Sequence, residues 1–110
     1  MADKLGYTYV LASKRNGTLY IGVTSDPVRR IWQHKHDEIE GFTSRYGVKL
    51  LVHIEEHDSI LGAIAREKQI KNWRRQWKVE LIEKENPEWR DLYADLVRSI
   101  TGMDPGSSPG

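Results

Sequence analysis

An α+β domain with three antiparallel strands is the architecture this sequence predicts, and three observations lead to it. Residues 7–23 read as a β-hairpin, and Leu50, Leu51, Val52 and Ile54 read as a further strand. Most of the remaining apolar positions recur at helical rather than strand spacing.

The hairpin is the organising stretch. Tyr7, Tyr9 and Leu11 alternate with Thr8 and Val10, and Leu19, Tyr20, Ile21 and Val23 supply the β-branched and aromatic content that a half-buried pleated surface favours. Asn16-Gly17 between two apolar runs is a strong turn signal, because both residues tolerate positive φ. Three of the five tyrosines fall here, with Tyr9 and Tyr20 on opposite arms. A phenol needs a partner for its hydroxyl, so the pair suggests a polar site, although tyrosine is also an ordinary strand residue.

Asp26 is a good N-cap and Pro27 suits the first helical position, so a helix is predicted from Pro27 to about His36. Val28, Ile31 and Trp32 form its apolar stripe; Arg30 and His34, four apart, share a different face that reads as solvated. Residues 37–49, with Gly41, Thr43, Ser44 and Gly47, read as a loop. It carries Phe42, Arg45 and Tyr46, a basic and aromatic set able to meet phosphates or stack on a base. The third strand, central or at the edge, ends in Glu55-Glu56-His57-Asp58.

Asp58 or Ser59 can cap a second helix through about Trp73, with a break before a further stretch from Trp77 to Glu85. Ile60, Ala63, Ile64, Ile70 and Trp77 share one apolar sector, and Glu67 falls in its middle. A carboxylate facing inward needs a partner. Either Lys71, four residues on, pairs with it, or it holds a cation; one carboxylate with water and phosphate oxygens suits Mg²⁺. Asn86-Pro87 breaks the helix, and a last one is predicted from Glu88 with Trp89, Leu92, Leu96 and Ile100 on one face. The expected organisation is a frayed leader over 1–6, one domain over 7–100 and a disordered Gly/Ser/Pro tail over 101–110.

A chain of 110 residues makes one domain with one core. The absence of cysteine excludes disulfides, thiol nucleophiles and thiolate metal sites. No apolar run reaches membrane-spanning length and the N-terminus lacks a signal-peptide layout, so a cytoplasmic protein without membrane attachment is expected. The net charge of +1 conceals two opposed blocks. Residues 66–78 carry six cations against Glu67, a local +5, and residues 79–95 carry a local −4. The first block is where a polyanion is expected.

Tyr7-Thr8-Tyr9, the literal triplet Tyr20-Ile21-Gly22, Arg30, His34 and Glu67 stand in the order and spacing of a known functional set. With the runs Arg-Glu-Lys-Gln-Ile-Lys-Asn-Trp and Asn-Pro-Glu-Trp-Arg-Asp-Leu-Tyr, the chain resembles the GIY-YIG nuclease superfamily, in its small single-domain YhbQ-like group, over residues 7–93. The resemblance implies a three-stranded antiparallel sheet flanked by helices and metal-dependent phosphodiester hydrolysis in DNA. It implies Glu67 as holder of Mg²⁺ or Mn²⁺ and Arg30 on the scissile phosphate. Tyr9 or Tyr20 would be general base, with His34 accepting or relaying the proton. Lys71, Arg74, Arg75 and Lys78, with Arg45, would bind flanking DNA, branched or single-stranded, without reading sequence. Such a protein is expected to act as a monomer and to select structure, with DNA repair or recombination as the expected setting. The asparagine that members often carry a dozen residues beyond the glutamate has no counterpart at Trp77, Lys78 or Val79. A non-catalytic nucleic-acid or protein adaptor is therefore the alternative.

Overall fold

The computed structural model describes residues 4–102. The expectations for residues 1–3 and 103–110 lie outside the described residues. The hairpin forms as β1 (Gly6–Ala12) and β2 (Leu19–Thr24), antiparallel, with Tyr9 opposite Gly22 and Leu11 opposite Tyr20. At its tip only Asn16 takes positive φ, at 58°, so one residue of the Asn-Gly pair supplies the left-handed step. Strand β3 (Leu50–His57) also pairs antiparallel with β1, which makes the order β2-β1-β3 and puts β3 at an edge.

Strand alternation sends residues 9, 11, 20 and 22 to one face and residues 8, 10, 12 and 21 to the other. Each face has its own core. Val10, Ala12, Ile21 and Val52 pack with Ile70 of α3 (Ile60–Lys71), Ile82 of α4 (Arg75–Glu85) and Trp89. Tyr9, Leu11 and Leu51 pack with Ile31 of α1 (Pro27–Lys35), Val48 and Leu96 of α5 (Tyr93–Thr101). Helix α3 lies against β1 so closely that a Cβ on Gly6 would stand 2.7 Å from the Ile60 backbone, and Thr8 Oγ1 donates to the Ala63 carbonyl at 2.8 Å.

The caps predicted at Asp26 and Ser59 form, each accepting from a first-turn amide. Three expectations are corrected. Residues 42–46, read as loop, form the short helix α2 (Phe42–Tyr46), bracketed by Gly41 at φ 120° and Gly47 at φ 64°. The last helix starts at Tyr93 rather than Glu88. Trp89 takes positive φ, at 58°, in a turn that Asn86 organises through its own side chain, so Trp89 is buried from outside a helix. Trp32, Trp77 and Ile100, read as core, are 41%, 46% and 47% exposed. No helix among the described residues is long and apolar enough to cross a membrane.

Candidate active site

Tyr9 is at the centre of the sheet with no exposed surface, and its ring lies across Gly22 of the neighbouring strand. A Cβ at Gly22 would stand 2.4 Å from both Cζ and the hydroxyl of Tyr9, so the phenol occupies the space that any other residue would fill. Tyr20, half-buried on the same face, has its ring centroid 6.3 Å from that of Tyr9.

His34 completes this face from α1. The reading of Arg30 and His34 as a solvated surface is wrong: His34 is 1% exposed and Arg30 is half-buried. Ile31, wholly buried, fixes the inward side of the helix, and His34 follows it by three residues on that side. Trp32 turns outward and stacks on His36 with ring centroids 4.1 Å apart. His34 Nε2 lies 2.9 Å from the Tyr9 hydroxyl and Nδ1 3.0 Å from Thr43 Oγ1, so both ring nitrogens are satisfied. Thr43 was not singled out from the sequence; its only local signal is the glycine at each end of α2.

Burial, reinforced by the neighbouring phenol of Tyr20 and by Glu67, pushes the Tyr9 phenol up to about 12, against the opposing pull of Arg30. Burial and then the Arg30 guanidinium lower His34 to about 4. At neutral pH the pair is therefore an uncharged phenol against an uncharged imidazole. With the phenol pushed up and the imidazole held down, the proton stays on Tyr9 in the free protein. Tyr9 keeps its proton unless a further cation arrives.

Glu67 comes from α3, which covers the opposite face, and its charge nonetheless acts on Tyr9. Its side chain is 19% exposed, and Lys71 Nζ stands 3.6 Å away, the loose i,i+4 pair that the sequence allowed. Among the described residues no three His, Asp or Glu side chains converge as a metal cage. A lone, partly sheltered carboxylate still fits a hard divalent ion that takes its other ligands from water and phosphate oxygens.

The other cations have different fates. Arg45 is exposed on α2, and Lys71 is exposed beside Glu67. Arg74 lies over the Trp77 ring at 4.8 Å, and Lys78 is half-buried. Arg75 donates to the carbonyls of Asn16 and Gly17 at 2.8 and 2.6 Å, so it holds the hairpin tip. Asn86 is buried, donating to the Val52 and Arg90 carbonyls, which commits it to the fold.

Residues 5–80 match the family described as the GIY-YIG catalytic domain. The chain belongs to the GIY-YIG family. A UPF0213 protein of Syntrophus aciditrophicus (strain SB) is 37% identical to this GIY-YIG chain over 90 residues, 74% of this chain and 93% of that protein. A UPF0213 protein of Natronomonas pharaonis is 38% identical over 76 residues, 69% of this chain and 88% of that one. The solution NMR structure of a UPF0213 protein from Bacillus halodurans superposes with a TM-score of 0.50 at 26% identity, covering 79% of this chain and 92% of that one. The resemblance and the α+β fold expected from the sequence are thus borne out. GIY-YIG is a nuclease family whose members act on DNA.

Proposed function

We propose that this GIY-YIG chain is a divalent-metal-dependent DNA endonuclease selecting structure rather than sequence, with DNA repair or recombination as its setting. The observation carrying the reading is that charges or dipoles of Tyr20, Arg30, His34 and Glu67 all act at the Tyr9 phenol, although they come from three separate elements, β2, α1 and α3. A fold alone does not specify chemistry; a convergence of titratable groups in one place supports it.

In this reading Glu67 holds Mg²⁺ or Mn²⁺, which when bound supplies Lewis acidity to the phosphate. The Arg30 guanidinium offsets charge that develops on the phosphate oxygens. Tyr20, the less buried phenol, acts as its phenolate, its own proton having passed to solvent, and takes the proton of the attacking water. Tyr9 and His34 are positioning residues: the uncharged imidazole, oriented by Thr43, fixes the Tyr9 hydroxyl, and Tyr9 backs Tyr20. Lys71, Arg74 and Lys78 bind flanking phosphates in this reading.

The test is nicking of a supercoiled or branched DNA with and without Mg²⁺, comparing wild type with Glu67→Gln and Tyr20→Phe. Loss of about 10²-fold or more in both variants is expected, and cleavage unaffected by both would refute this site.

One observation favours a second reading, a non-catalytic nucleic-acid or protein adaptor: Asn86 is consumed by backbone contacts, leaving no asparagine for the family's usual place. DNA binding without cleavage at any metal concentration would support it.

A further inference from the structure

Three aromatic rings run outward from the site in series. Phe42 lies nearly parallel to Tyr20, with centroids 6.5 Å apart and 27° between planes, and Tyr46 follows at 4.9 Å. Phe42 and Tyr46 are 46% and 53% exposed, so neither ring is spent on the core. Their support is nevertheless firm. Thr43, between them in sequence, is 3% exposed and bonded to His34, and its carbonyl accepts from the amide of Val48, which is fully buried.

We propose that Tyr20, Phe42 and Tyr46 form a stacking platform for an unpaired nucleobase next to the linkage that is cut, so that the substrate strand is single-stranded there. This deepens the nuclease reading above and rests on it. Aromatic faces hold bases of any identity by stacking, but a base inside a duplex already has both faces covered by its neighbours. Only an unpaired base can use the platform.

The charges around it agree. Phe42 and Tyr46 border a hollow of roughly 490 Å³ that Glu40 and Arg45 also line. A carboxylate there disfavours a phosphate within the hollow and tolerates a neutral base. Arg45, which lines the hollow, and Arg30, which acts on the Tyr9–His34 pair, then suit the phosphates flanking that base.

The test measures binding with EDTA present, so that cleavage plays no part. The probes are a fluorescein-labelled single strand of about 15 nucleotides and the blunt duplex of the same sequence. Phe42→Ala and Tyr46→Ala are each expected to weaken single-strand binding about tenfold and duplex binding by less than about twofold. Phe42→Trp should restore it. A 2-aminopurine in the strand should be quenched on binding to wild type and less so by Phe42→Ala. Both rings are exposed, so truncation leaves the core intact; a thermal melt by circular dichroism verifies this. Equal losses on both DNAs, unchanged single-strand affinity, or no DNA binding by wild type would each overturn the proposal. Unchanged affinity is also what rings reserved for a protein partner would give. If the single-strand preference is lost in the variants but wild type cuts nothing, the platform stands and the nuclease reading falls. If wild type cuts and the variants bind normally, the reverse holds.

Discussion

The Tyr9 hydroxyl lies 2.9 Å from His34 Nε2, and neither side chain has more than 1% of its surface exposed. A charge on either member is unfavourable, and this gives the fold a pH signature. Burial holds His34 near 4 when folded, against about 6.5 unfolded, so between these values only the unfolded chain binds the proton. Stability therefore falls as pH drops from about 6.5 to about 4, by roughly 3 kcal/mol, and is unaffected by this group above that window. Glu55, held to about 2 chiefly by its hydrogen bond with His53 and by Arg66, adds a separate loss below about 4.5. Urea unfolding at about pH 7 and about pH 5 measures the first window, and His34→Gln should flatten it.

Gly22→Ala should destabilise the domain by about 1–3 kcal/mol, since the new methyl would meet the Tyr9 ring at 2.4 Å. That ring is walled by Leu11, Ile31 and Leu51 and has nowhere to retreat. Thermal melts check this, and in a Tyr9→Ala background the same substitution should cost much less.

Arg30→Gln removes the cation that depresses His34 and draws Tyr9 downward. The imidazole should titrate higher than in wild type and the phenol higher still. NMR of the histidine ring protons across pH reads the first shift, whatever the activity proves to be. An unchanged His34 titration would mean that Arg30 does not act on this pair.

Lys71→Ala and Arg74→Ala should each weaken DNA binding uniformly across sequences and reduce the slope of affinity against salt by about 1. Arg75→Ala should differ from both. Its guanidinium is engaged by the Asn16 and Gly17 carbonyls, so the expected loss is in the melting temperature, with little change in salt slope.

The hairpin, both helix caps and Glu67 were legible because each is a local signal: alternation, an Asp-Pro or Ser start, a charge in an apolar sector. The site's interior was not. Which side of α1 faces inward depends on the sheet it meets, and Ile31 with His34 was as consistent with the spacing as Ile31 with Trp32. Helix α2 is too short to show a period, so Thr43 and the exposed Phe42 went unrecognised as an anchored unit. Trp77 satisfied the apolar pattern, yet lies outside under Arg74, because the helix is interrupted over residues 72–74, which resets the phase of the helix that follows.

Because α3 packs on the other side of the sheet from the phenols, the groups that meet in the proposed site are made at different times. During synthesis both tyrosines, Arg30 and His34 leave the ribosome well before Glu67, which joins them only once α3 has docked on β1. A nascent chain thus has Arg30 and its phenols without its acid, and any cutting ability would arrive last, together with the finished fold.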